Sequence, residues 1–166
     1  MNNIIARFHL DFNHKRKEND KKWLAKHPNN PVGFNEWCRD QERASYEQDI
    51  RFFGGVDKIP KAPCYGEFYK YAQWHNLVRE SLLLIGHQIP VLTIYYEDYT
   101  EHFNLTTAML LTFLELEQEG VPPSFSARTN YTDYFNSTQQ EHIKSLIQSV
   151  ANNNTWEKIQ HYFEGV

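Results

Sequence analysis

The sequence predicts an α/β fold, mostly helical, with one strand buried on both faces near residues 91–96. Three observations support this. The run Val91, Leu92, Thr93, Ile94, Tyr95, Tyr96 follows Pro90 without polar alternation, the habit of a strand covered on both faces in a parallel sheet. Glu97 and Asp98 come directly after it, at the carboxyl end where open α/β sheets present polar groups to ligands. Elsewhere the apolar residues recur mainly at helical spacing. A strand of this kind needs neighbours for its backbone N–H and C=O groups, and the chain offers no second such run. Ile4, Ile5, Phe8 and Phe12 already follow a helical period just after Met1, which reads as a start in mid-domain. The expectation is a single partial domain over residues 1–166, either the carboxyl portion of a larger α/β domain or a chain whose strand pairs with a partner. An unpaired strand edge would invite self-association.

The elements follow in order. Residues 2 to about 14 form an amphipathic helix, and the mixed charges of KRKENDKK after it suit a solvated face. Pro28 and Pro31 break that helix, and a second pattern puts Phe34, Trp37 and Cys38 on one side until Gly54 and Gly55 end it. A long aromatic-rich helix runs from Tyr65 to about Gly86, with Phe68, Tyr71, Ala72, Trp74, Val78 and Leu82 as its buried stripe. Another spans about Asn104 to Leu116, before the Gly120-Val-Pro-Pro123 loop. Ser137 with Gln140, and Thr138 with Glu141, have capping-box spacing ahead of Ile143, Leu146, Ile147 and Val150. A last short helix holds Trp156, Ile159, Tyr162 and Phe163.

Composition narrows the function classes. With 40% hydrophobic, 15% aromatic and 23% charged residues, the chain has the balance of a globular protein rather than a disordered or fibrous one. Its net charge of -4 leaves no overall electrostatic footprint for nucleic acid or an anionic membrane, so any anion site must be local. No run approaches the roughly 18 apolar residues of a membrane span. Cys38 and Cys64 fit no paired zinc pattern and suit either buried thiols or one bridge.

No complete catalytic constellation is legible. The chain lacks a GxxxxGK phosphate loop, GxSxG, HExxH and a dinucleotide fingerprint. Its eight histidines are scattered, which argues against a metal site. Glu97 and Asp98 would point to opposite faces of an extended chain, so one of them is expected to cap the next turn or anchor the strand end. Four glycosylation sequons begin at Asn104, Asn130, Asn136 and Asn153 and would suit a lumenal protein.

One long stretch resembles a known family. Tyr65-Gly66 and Trp74 on a helix, the run Val91 to Tyr96, Tyr96-Glu97-Asp98, and a helix ending in Phe113-Leu114 resemble, in order and spacing, the carboxyl half of the sulfotransferases. IIARFHLDFNH is similar to the helix after that family's Arg-Asn-Pro segment, and RTNYTDYFNSTQQEHIKSLI to its late loop and final helix. The resemblance covers nearly all of the chain but only the second half of the family's domain.

It implies a partial three-layer, P-loop-like sulfotransferase fold and binding of 3'-phosphoadenosine 5'-phosphosulfate (PAPS). Intact relatives transfer its sulfuryl group to a hydroxylated acceptor such as a carbohydrate. Tyr96 would lie against the adenine, and Arg128 would contact the 3'-phosphate, although the late loop reads Arg128-Thr129-Asn130 where the family has Arg-Lys-Gly. Ala6 stands where the family has a phosphate-binding serine and has no hydroxyl to donate. The phosphosulfate loop and the usual catalytic base match nothing here, so no catalytic residue is assigned. The resemblance thus implies a fragment inactive alone, in the Golgi lumen or the cytoplasm. The alternative is a helical protein-interaction module without catalysis.

Overall fold

The computed structural model describes residues 2–85, 89–121 and 132–164. Eight α-helices occur among them: α1 (Asn2–Lys17), α2 (Lys21–Lys26), α3 (Pro31–Phe53), α4 (Tyr65–Ile85), α5 (Tyr96–Glu101), α6 (Phe103–Phe113), α7 (Ser137–Val150) and α8 (Asn153–Ile159). Short 3₁₀ turns cover Val56–Lys58, Thr132–Tyr134 and Gln160–Phe163. The chain divides into two compact units, the first made of residues 1–80 with 131–166 and the second of residues 81–130.

The α/β expectation is overturned. Among the described residues there is no strand. Residues 91–95 carry no regular secondary structure, and Tyr95 is extended at φ −89°, ψ 148°. The β-branched run sets a local preference for extended backbone, but a strand exists only where a second one supplies the ladder. Val91 is 47% exposed, so the run is not covered on both faces either. Tyr96, expected as the last strand residue, opens α5 instead, because Asp98 Oδ2 accepts the Tyr95 N–H at 2.9 Å and starts the helix there.

The first unit is built on aromatic packing. Ile5 and Phe8 from α1, Phe34, Trp37 and Cys38 from α3, Tyr65 and Phe68 from α4, and Ile143, Leu146 and Ile147 from α7 share one core with Phe135, Ile159 and Phe163. Helices α2, α3, α7 and α8 begin where the sequence supplies a capping side chain, at Asp20, Asn30, Asn136 and Asn152. The Asn30 side chain accepts the Gly33 N–H at 3.0 Å, and Pro31 takes the first helical position of α3, where its missing N–H costs nothing. Gly54, at φ 79°, closes α3 in the left-handed conformation. Gly33 is required by proximity: a Cβ there would lie 1.9 Å from the Pro28 carbonyl oxygen, so α3 can sit this close to the His27-Pro28 backbone only with a glycine.

Two details differ from the sequence reading. The start of α7 is capped one residue earlier than expected, by a reciprocal box in which Asn136 Oδ1 accepts the Gln139 N–H at 2.9 Å and Gln139 Oε1 accepts the Asn136 N–H at 3.0 Å. Of the stripe expected to be buried on α4, Phe68 and Ala72 are buried, whereas Trp74 is 59% exposed. The core touches only the first two turns of that helix; beyond them, Asn76 holds the first unit together with hydrogen bonds. Its Nδ2 donates to the Val150 carbonyl at 2.8 Å, and its Oδ1 accepts the Asn152 N–H at 2.9 Å.

A charged cluster ties α2 to α3. His27 is almost fully buried, with Nδ1 3.0 Å from the Trp23 carbonyl oxygen and Nε2 3.0 Å from Asp40 Oδ2. Lys26 donates to the same carboxylate at 2.6 Å, and Arg43 stands 3.4 Å from it. The Lys26 hydrogen bond, with His27 adding to it, holds the Asp40 carboxyl below its ordinary value even though partial burial opposes this. A depressed folded-state value means that this contribution to stability is complete above the unfolded carboxyl's range, near pH 4, and disappears as pH falls through the lower folded value. In Asp40→Asn, the urea midpoint should therefore drop less than in the parent between about pH 6 and about pH 2.5. Equal drops in both proteins would show that Asp40 does not carry the acid sensitivity.

Candidate functional site

The segment expected to form the nucleotide site is organised around Asp98. Asp98 caps α5 through the Tyr95 N–H, and its carbonyl oxygen accepts both the His102 N–H at 2.9 Å and the Thr106 hydroxyl at 3.0 Å. One residue thereby fixes the start of α5, its end, and the first turn of α6, with His102 the hinge between them. Asp98 is thus the capping member of the Glu97-Asp98 pair. Tyr96 is the first residue of α5. Arg128, its expected companion on the nucleotide, lies outside the described residues.

A groove in the first unit, which sequence reading missed, brings charged and polar side chains together. It has a volume of about 500 Å³ and runs between α3 and the Ile59–Pro63 stretch that leads into α4. Cys38 lines it and is joined to Cys64, so the two cysteines form a bridge rather than separate thiols. One face of α3 supplies the supports in sequence steps of three and four: Cys38, Glu42, Ser45 and Asp49. Glu42 accepts the Cys64 N–H at 2.7 Å, which puts a carboxylate at the amino end of α4, where unpaired N–H groups and the helix dipole favour negative charge. Asp49 Oδ2 accepts both the Tyr65 hydroxyl and the Ser45 hydroxyl at 2.6 Å.

The electrostatics of these groups follow from burial and from their hydrogen-bond partners. Burial pushes the Glu42 carboxyl up, against the pull of the Cys64 N–H. The Tyr65 phenol is pushed far above its ordinary range, first by burial and then by its bond to the Asp49 carboxylate. A phenol held protonated against a carboxylate does not serve as a base near neutrality. Arg39, Arg43 and Lys61 stand on the rim of the groove. Arg39 pairs with Glu36 and Arg43 with Asp40, both three residues back on the same helix. Exposed pairs of this type are worth about 0–1 kcal/mol, so an incoming anion could compete for either guanidinium. Binding of an acidic group is the chemistry available here. The spacing of Cys38, Glu42, Ser45 and Asp49 on a helix already expected places them on one face but does not reveal their partners.

No group of three or more His, Cys, Asp or Glu side chains suited to a metal ion occurs among the described residues, and no described helix is long and apolar enough to cross a membrane. No family model, curated protein or solved structure matches the chain.

Proposed function

We propose that the chain is a sulfotransferase-related segment which carries helical parts of such an enzyme and does not transfer sulfuryl groups by itself. The observation that carries this reading is the succession in the middle of the chain: α4 with Trp74, the irregular run 91–95, Tyr96-Glu97-Asp98 turning at once into helix, and α6 ending in Phe113-Leu114. The resemblance rests on the order of these residues in the sequence, and the strand it implies at 91–96 is absent among the described residues. The reaction needs a phosphosulfate cradle of backbone N–H groups with a basic side chain, and a base for the acceptor proton. Neither motif is in the sequence. PAPS and a hydroxylated acceptor are accordingly the ligands of the complete enzyme in this reading, and Tyr96 and Arg128 its contributions to the nucleotide side.

Calorimetry of the purified chain with desulfated PAPS tests the inactive-alone half. No binding is expected up to about 100 μM, equivalent to less than about 5.5 kcal/mol of affinity, and a micromolar Kd would overturn it. The family half is tested by the in-frame coding sequence upstream of Met1, where an Arg-Asn-Pro segment and a phosphate loop are expected. If both are missing there, the second reading stands: a helical interaction module without catalysis. The groove rimmed by Arg39, Arg43 and Lys61 favours that alternative.

A further inference from the structure

Four sequons run through the chain, and the transfer chemistry makes no use of them. The three whose asparagines are described differ in what folding leaves available. Asn104 lies in the first turn of α6, and its Thr106 is only 5% exposed, with the hydroxyl donated to the Asp98 carbonyl at 3.0 Å. Asn153 opens α8, and its Thr155 is 2% exposed with its hydroxyl enclosed. Asn136 is different: it sits outside the helix, with extended backbone at φ −73°, ψ 167°, and Asn136, Ser137 and Thr138 are all exposed. Asn130 lies outside the described residues.

The cap geometry at Asn136 is compatible with a glycan. The cap uses only the side-chain oxygen, Oδ1, towards the Gln139 N–H at 2.9 Å. The nitrogen that would carry a sugar, Nδ2, takes no part in it, so a glycan could be attached without loss of the helix start. An independent observation concerns the compartment: Cys38 and Cys64 are joined in a disulfide inside the core, and such bridges persist in oxidising lumens and outside cells. The enzymes that attach N-linked oligosaccharides work in the same lumen.

From these two features we infer that the chain passes through an oxidising lumen and carries an N-linked oligosaccharide on Asn136. In the step, Asn136 Nδ2 attacks the anomeric carbon of an oligosaccharide held as a lipid diphosphate ester. The new bond is N–C, the C–O bond to the diphosphate breaks, the lipid diphosphate leaves, and the amide nitrogen loses one proton to a base of the transferring enzyme. No oxidant or reductant is involved.

The test is to express the full chain behind a secretory leader in a eukaryotic host and recover it from lumen and medium. Peptides are then mapped before and after an amidase that releases N-glycans and converts the carrier asparagine to aspartate. Asn136 is expected to read as aspartate after treatment, with the bridge intact under non-reducing conditions. Thr138→Ala should abolish that conversion while leaving the Asn136–Gln139 cap and the thermal midpoint in place, whereas Asn136→Gln should abolish it and also weaken the cap. Oxidised chain in which Asn136 remains unmodified would overturn the inference, as would a chain whose two cysteines stay reduced in that lumen.

Discussion

Removal of the Cys38–Cys64 bridge should lower the unfolding free energy by about 3.5 kcal/mol, the loop-closure value for the 26-residue separation it spans. The argument concerns the unfolded chain first: without the bridge, the segment from α3 to the start of α4 regains the conformations that the cross-link denied it. The native state contributes as well. Cys64 is held at φ 54°, a left-handed conformation unusual for a residue with a Cβ, and the bridge together with the Glu42 carboxylate keeps it there. The cleanest variant is the double Cys38→Ala, Cys64→Ala, because both sulfurs are buried and serine would add an unpaired hydroxyl. Guanidinium unfolding of this variant, and of the parent with and without reductant, measures the effect. A difference under about 1 kcal/mol in both comparisons would mean that the Glu42 contact and the surrounding core already hold the segment.

Phe34→Ala is expected to cost about 3–5 kcal/mol, the range for deleting a fully buried aromatic ring. Phe34 has no exposed surface and sits where three regions of the chain meet. Its ring centroid lies 5.7 Å from that of Phe8 on α1, 5.3 Å from Phe135 and 5.5 Å from Tyr134, mostly edge to face. A void there has rigid aromatic walls and collapses poorly, which places the cost toward the upper end. The gain in helix propensity on going to alanine returns only about 0.5 kcal/mol. Phe52→Ala on the same helix is the control: that side chain is 62% exposed, so its loss should be markedly smaller. If both variants unfold at the same midpoint with unchanged slope, Phe34 is not the keystone that its contacts indicate.

Helices were far more legible in the sequence than the sheet or the site. The stop at Gly54, the start of α4 at Tyr65 and the buried face of Phe34, Trp37 and Cys38 follow from local rules that need no distant partner: a left-handed terminator and a 3.6-residue period. The strand at 91–96 failed because strandedness belongs to a pair. A run of Val, Leu, Thr, Ile and Tyr states a preference, and the Asp98 cap decided where helix began. On α4 the apolar period continued past the point where the core stops, so Trp74 read as buried and is exposed. The groove was illegible for a different reason. Its lining residue Cys38 is bridged to Cys64 and its Glu42 meets a backbone N–H 22 residues away, and neither pairing leaves a mark in local spacing.

The Asn76 side chain, which bonds Val150 and Asn152, bears on the order in which the protein can be made. Its partners lie 74 and 76 residues further along the chain. Everything between residues 81 and 130 is synthesised before the first unit can close, so the second unit is an excursion inserted into the first. A ribosome extending this chain releases α1 and α3 with Phe8 and Phe34 uncovered, and Phe135 and α7 arrive only in the last fifth of the sequence. During that interval the Cys38–Cys64 loop is a covalent closure of the first unit that needs nothing from the carboxyl end, and it can form before the rest. Formed early, the bridge would tie α3 to the start of α4 before Phe135 and α7 are made.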